Sequence, residues 1–239
     1  MPMLKIFACL IVVILVLELA FKQAKQQQID WASKNFVIML TMTIDPQGTY
    51  GAVRAKIADR INDYRKSLAR WAELPYKVVI VESSGYGNPF VDILKDAKHI
   101  TYVSVKTPHI PEKGKGYGES HLMRYALNNL ILDNNIYIMK FTGRYAPKKD
   151  LSDMLTLLQL LAPNIVYRFG GTEWFVGRRA FFLELSDRCI ATCRPIHEQT
   201  MWFERLFGRM VSEKYAMRHT KNIEVLQTFN GRNLPVTVI

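Results

Sequence analysis

Phe36-Val37-Ile38-Met39-Leu40-Thr41-Met42-Thr43 is a near-continuous apolar run closed by Asp45-Pro46. A strand that is apolar at every position has no solvent-facing side, so it suits the interior of a sheet covered on both faces, as in parallel α/β folds. The run ends in polar residues, as a strand does when its carboxyl end borders a ligand. From Val53 to Trp71, apolar residues recur at helical spacing (Val53, Ile57, Ile61, Tyr64, Leu68, Trp71), which predicts a crossover helix. Lys77 to Val81 and Ile100 to Val105 read as two further strands, with a helical turn at Asp92 to Lys98 between them. Strands alternating with helices in this way argue for a mostly parallel sheet with right-handed crossovers.

The sheet pattern leads into the stretch where chemistry is concentrated. Gly114-Lys115-Gly116-Tyr117-Gly118-Glu119 reads as a glycine-rich loop, His121 to Leu132 as an amphipathic helix, and Ile136-Tyr137-Ile138-Met139 as a strand delivering Lys140-Phe141-Thr142-Gly143-Arg144-Tyr145. Backbone N–H groups at a helix N-terminus, with lysines beside them, suit a bound anion such as phosphate. The loop has neither the Lys-Ser or Lys-Thr of a Walker A loop nor a strand running directly into it, so it is neither that motif nor a dinucleotide fingerprint. In open α/β sheets ligands bind outside the carboxyl ends of strands, which places Lys140, Thr142 and Arg144 beside one.

Further along, Asp150 to Leu161 and Arg178 to Ser186 read as helices, His197 to Tyr215 as a long one, and Asn164–Phe169, Glu173–Gly177 and Ile223–Phe229 as strands. The chain has 239 residues, 49% of them hydrophobic, enough for one large domain with an appendage. The net charge of +11 implies anionic partners. The basic residues are spread along the chain, which argues against a dedicated nucleic-acid surface.

The appendage is N-terminal. Ile6 to Leu17 is unbroken apolar sequence, and Leu19-Ala20-Phe21 resumes after Glu18. The run is read as a single-pass membrane helix at residues 1–21, with a cleaved signal peptide as the alternative, followed by a polar stalk at 22–34 and a domain at 35–239. Such a protein would sit in a membrane, in the Golgi or the ER lumen if eukaryotic.

The motifs Val79-Ile80-Val81-Glu82-Ser83-Ser84-Gly85, Gly114 to Glu119 and Lys140 to Tyr145 together resemble those of small GT-A-like glycosyltransferases of the surface-polysaccharide type. The resemblance implies a Rossmann-like GT-A domain that takes a nucleotide-sugar donor and passes its sugar to a glycan, lipid-linked or protein-linked acceptor. Glu82, Ser83, Gly114, Lys115, Gly116, Gly118, Glu119, Lys140, Thr142, Gly143 and Arg144 would hold the donor. Many GT-A enzymes carry an Asp-x-Asp motif that binds Mn²⁺ or Mg²⁺ across the diphosphate, and this chain has none. Fixed cations can neutralise a leaving diphosphate instead, with Arg144 first and Lys115 second. The resemblance also favours an acidic residue near the start of the late helix as general base, hence Glu198, with Glu173 and Glu204 behind it.

Each assignment has a structural alternative. Glu82 could organise a turn, Arg144 could form an ion pair, Glu198 could favour a helix N-terminus, and Trp174-Phe175 could be core rather than an acceptor wall. Cys189 and Cys193 with His197 lack the fourth ligand of a zinc site, and a disulfide would need an oxidising compartment. Two other functions suit the sequence: a membrane-tethered protein binding nucleic acid or anionic lipid, and a glycosyltransferase-like module without activity.

Overall fold

The computed structural model describes residues 2–47, 56–108, 110–147, 150–161, 165–167, 174–194, 202–214, 217–219 and 225–227. Its strands are β1 (Phe36–Met42), β2 (Val78–Glu82), β3 (Ile100–Ser104), β4 (Tyr137–Thr142), β5 (Tyr145–Pro147), β6 (Ile165–Tyr167), β7 (Trp174–Arg178), β8 (Met217–His219) and β9 (Val225–Gln227). Its helices are α1 (Pro2–Asn35), α2 (Ile57–Ala72), α3 (Val91–Leu94), α4 (Gly114–Asn129), α5 (Ser152–Leu161), α6 (Arg179–Thr192) and α7 (Trp202–Lys214). The main sheet has the order β3-β2-β1-β4-β7-β6-β8, and β5 pairs with β9 separately. β3, β2, β1 and β4 are parallel, as the alternating pattern requires, but β7 runs antiparallel to both β4 and β6. The sheet is therefore mixed, and β8 is a strand that the sequence pattern does not announce.

All seven residues of β1 are buried, and the period-2 alternation of a strand sends them to two different layers. Phe36, Ile38, Leu40 and Met42 pack with Tyr64, Leu68 and Trp71 of α2 and with Leu155 and Leu158 of α5. Val37 and Met39 pack on the other side with Leu122, Met123 and Ala126 of α4, Phe182 and Leu185 of α6, and Phe207 of α7. The result is three layers, helix on sheet on helix. Trp174 and Phe175 are both fully buried, one in each layer, so they belong to the core and form no acceptor wall.

The first helix corrects a prediction. Among the described residues, no helix is long and apolar enough to cross a membrane, so the single-pass anchor and the membrane location it implied, Golgi or ER lumen included, are overturned. The run from 6 to 21 is 16 residues, which at about 1.5 Å per residue spans about 24 Å against a hydrocarbon core of about 30 Å. Glu18 interrupts it, and the same helix continues through Lys22, Lys25 and Gln26 into β1. Its far end is fastened to the domain. Gln28 Nε2 donates to the Ser152 carbonyl and to Thr156 Oγ1, both at 2.8 Å, Lys25 lies 3.5 Å from Asp150, and Trp31 packs on Tyr137.

Candidate active site

The chain leaves β1 to build β2 and β3 on one side, then returns to lay β4 against the other side of β1. That reversal is a topological switch point, and it opens a crevice outside the carboxyl ends of β1 and β4. Thr41 and Thr142 are partners in register at this edge, with Met39 opposite Lys140 two residues deeper. The backbone N–H of Gly143 donates to the Thr41 carbonyl at 2.8 Å and closes the edge.

Beneath the crevice lies a charged cluster. Strand alternation turns Lys140 away from the Met139 and Phe141 layer and toward α4, where its ammonium stands 2.5 Å from Glu119 Oε1. The same oxygen accepts a hydrogen bond from Thr41 Oγ1 at 2.7 Å. Lys140 also reaches Thr142 Oγ1 at 3.4 Å, and its ammonium is 5.7 Å from the centre of the Phe175 ring. Lys140 is 1% exposed and Glu119 20%. Burial alone would push the Glu119 carboxyl up, but the Lys140 charge and hydrogen bond, the Thr41 hydroxyl and the Lys115 charge together hold it below the ordinary carboxylate value. Glu119 is thus an ionised anchor under the switch point. Thr41 was not among the predicted site residues; its signal was a hydroxyl at the end of an otherwise apolar strand.

Gly114 to Glu119 is not a loop, and here the structure departs from the sequence reading. A short 3-10 turn at Pro111–Lys113 runs into α4, which begins at Gly114 itself. Gly114 has φ +73°, the left-handed conformation glycine adopts without strain. Gly116 is required by packing, because a Cβ there would stand 2.8 Å from the Phe203 Cβ of α7. Gly118 faces open space, with nothing within 4 Å of an added Cβ. Cys189 and Cys193 of the α6 terminus place their sulfurs on the carbonyls of Gly116 and Lys113, at 3.8 and 3.6 Å. Both thiols are buried, and burial pushes them up, Cys189 to about 12. Lys115 is exposed on the first turn of α4.

Glu82 at the end of β2 has a different occupation. It is fully buried, and its carboxylate accepts from the backbone N–H groups of Ile44 (2.9 Å), Ser84 (2.8 Å) and Tyr86 (3.2 Å) and from the hydroxyls of Ser84 (2.5 Å) and Ser104 (2.8 Å). These bonds tie the β1, β2 and β3 ends together. Ser83 bonds Thr43 Oγ1 at 2.6 Å. Arg60 of α2 is buried and donates to the Thr43 carbonyl at 2.5 Å and to Tyr64 Oη at 3.0 Å. The same Tyr64 hydroxyl accepts from the Thr43 N–H.

Gly143 and Arg144 form the turn between β4 and β5. The Gly143 carbonyl accepts from Ser67 of α2, and an added Cβ would collide with Met42, so Gly143 is a close-packing residue. Arg144 is partly buried immediately beyond the β4 edge. Glu173 and Glu198 lie outside the described residues, and Glu204 stands in the first turn of α7.

Among the described residues no group of three His, Cys, Asp or Glu side chains could hold a metal ion. Of the described carboxylates at this edge, Glu82 and Glu119 do not fit a divalent cation: Glu82 receives five hydrogen bonds from the protein, and Glu119 already carries the Lys140 charge.

No protein-family model matches the sequence, and none of the curated proteins does. The fold is similar to solved structures. One is the 4-diphosphocytidyl-2C-methyl-D-erythritol synthase of Anaerococcus prevotii (TM-score 0.49, 12% identity, 81% of this chain and 88% of that one). A second is the glycosyltransferase GlyE of Streptococcus pneumoniae (0.49, 10%, 78% and 46%), of which this chain spans under half. A third is a Desulfovibrio desulfuricans protein described as a nucleotide-diphospho-sugar transferase (0.48, 12%, 77% and 79%). Likenesses this distant assign no site.

Proposed function

We propose that the chain is a nucleotide-sugar-dependent glycosyltransferase whose donor occupies the crevice at the β1/β4 switch point. One observation carries the reading: a lysine 1% exposed and a carboxylate paired to it lie at the carboxyl edge of β1 and β4, where the strand order reverses and ligands of open α/β sheets bind. A strand core needs no such pair. Apolar residues of the same volume would serve stability as well or better, so charge at this place fits a site. The net charge of +11 suits a diphosphate-bearing substrate.

In this reading the acceptor hydroxyl attacks the anomeric carbon of the donor, the glycosidic bond to the diphosphate breaks, and the proton of the hydroxyl passes to a carboxylate base. Glu198 is the proposed base, with Glu173 and Glu204 next. Arg144, beyond the β4 edge, and Lys115, on the first turn of α4, supply the positive charge toward the leaving diphosphate. The acceptor is a glycan, free or carried on lipid or protein. In this reading no step passes through a metal; among the described residues no group of three His, Cys, Asp or Glu side chains could hold one.

The test is a thermal-shift panel of nucleoside diphosphates and nucleotide sugars, repeated in EDTA, with turnover of whichever donor binds. Binding and transfer are expected to survive the chelator, and Arg144→Ala is expected to lower kcat by about 10² to 10³ with a smaller loss of donor affinity. Strict dependence on Mn²⁺ would overturn the metal-free reading. Donor binding without any transfer would make the chain a binding module.

A further inference from the structure

The two oxygens of the Glu119 carboxylate are not equivalent. Oε1 is fixed from below by Lys140 at 2.5 Å and Thr41 at 2.7 Å. Among the described residues no group donates to Oε2. The side chain keeps 20% exposure while Lys140 keeps 1% and Thr41 4%, so a carboxylate anchored from the buried side by both still has a side chain that reaches the surface. Its depressed pKa, the combined effect of burial overridden by Lys140, Thr41 and Lys115, keeps it ionised and makes it a poor proton acceptor. A fixed, ionised oxygen with spare lone pairs attracts O–H donors and repels phosphate.

We infer that Glu119 Oε2 accepts a hydrogen bond from a hydroxyl of the bound ligand, so that the switch point recognises a polyol beside the cations that take the diphosphate. This rests on the transferase reading above and sharpens it. Glu119 was first placed with the phosphate cradle, and the pairing moves it to the hydroxyl-bearing part of the donor. Gly118, one residue earlier on α4, has nothing within 4 Å of an added Cβ, so the helix is uncovered on the adjoining face. Two moieties of a nucleotide sugar carry hydroxyls, the ribose and the transferred sugar, and binding measurements separate them.

The experiment is titration calorimetry on the full chain, wild type and Glu119→Gln, which keeps shape and an acceptor for Thr41. The ligands are the best-binding of UDP, GDP and CDP, its 2′,3′-dideoxy form, and its glucose or mannose conjugate. If the transferred sugar donates, Glu119→Gln weakens the conjugate about tenfold and leaves the diphosphate within about twofold. If the ribose donates, diphosphate and conjugate weaken alike and the dideoxy form does not. Either result supports the inference. Equal weakening of all three ligands makes the effect structural and overturns it, as does no change in any. Mn²⁺ tightening wild type but not Glu119→Gln would assign the oxygen to a cation and overturn it too. Because the amide leaves the Lys140 charge without its counter-ion, Glu119→Gln with Lys140→Met is titrated in parallel and must show the same ligand pattern. Wild type binding none of the nucleotides would overturn the transferase reading itself, an outcome distinct from the others.

Discussion

Two glutamates stand at the carboxyl edge of the same sheet and do opposite things. Glu82 ends β2 on the α2 side and receives five hydrogen bonds from Ile44, Ser84, Tyr86 and Ser104. Glu119 reaches the edge from α4 on the other side, receives bonds on one oxygen only, and keeps partial exposure. Both look alike in sequence, a glutamate beside serine and glycine. What separates them is whether the fold itself uses every lone pair. A saturated carboxylate is architecture, because a ligand could bind it only by breaking protein bonds. An anchored carboxylate with a spare oxygen is available to a ligand.

The largest expected effect comes from breaking the saturated one. Glu82→Ala strands several buried donors at about 1–3 kcal/mol each, so a loss of at least about 4 kcal/mol is expected in urea denaturation. Replacing the other cluster as a unit, Glu119→Gln with Lys140→Met, removes both charges together and should change stability by no more than about 1–2 kcal/mol. Donor turnover should fall sharply in that same variant. If the double replacement destabilises as much as Glu82→Ala, both glutamates are architecture and the contrast fails.

The sequence made the frame legible and hid this contrast. β1, β2 and β4 are near-continuous apolar runs with polar ends, so these strands, their parallel direction and the placement of Lys140 and Thr142 follow from patterning, while the order in the sheet does not. α4 was misread at its start because glycine is a poor helix former, by about 1 kcal/mol per residue relative to alanine. Tertiary packing overrides that preference here: Gly116 lets α7 approach, and the α6 terminus holds the carbonyls of Lys113 and Gly116. The antiparallel return of β7 and the short β8 depend on pairing partners that local periodicity does not name. The Glu119 and Lys140 pairing joins a helix to a strand, and nothing in either segment alone announces it. The apolar run of α1 was misread for a simpler reason, its length.

A smaller effect appears on acidification. The Glu119 carboxyl is held below its ordinary value of 4.5 in the folded chain. A group depressed in this way contributes stability that is full above the unfolded value and is lost as pH falls through the folded one. The wild-type melting temperature should therefore drop below about pH 4.5 more steeply than that of the Glu119→Gln, Lys140→Met variant, which lacks the titrating pair. Parallel curves for the two proteins would mean that the pair contributes nothing to acid stability.

The smallest effect tests the open side of the cluster through its neighbouring glycines. Gly116 and Gly118 lie in the same helix, yet an added methyl meets Phe203 at 2.8 Å in one case and nothing within 4 Å in the other. Gly116→Ala should destabilise by about 1–3 kcal/mol, since α7 must shift to admit it. Gly118→Ala should stabilise the free protein by about 0.5–1 kcal/mol, because alanine loses less backbone freedom in a helix interior. If the space above Gly118 receives the ligand, the same substitution weakens donor binding while it raises the melting temperature. Stability and affinity would then move in opposite directions at one residue. A Gly118→Ala protein that melts higher and binds the donor as wild type does would show that the ligand passes elsewhere and that the open face of α4 is solvent.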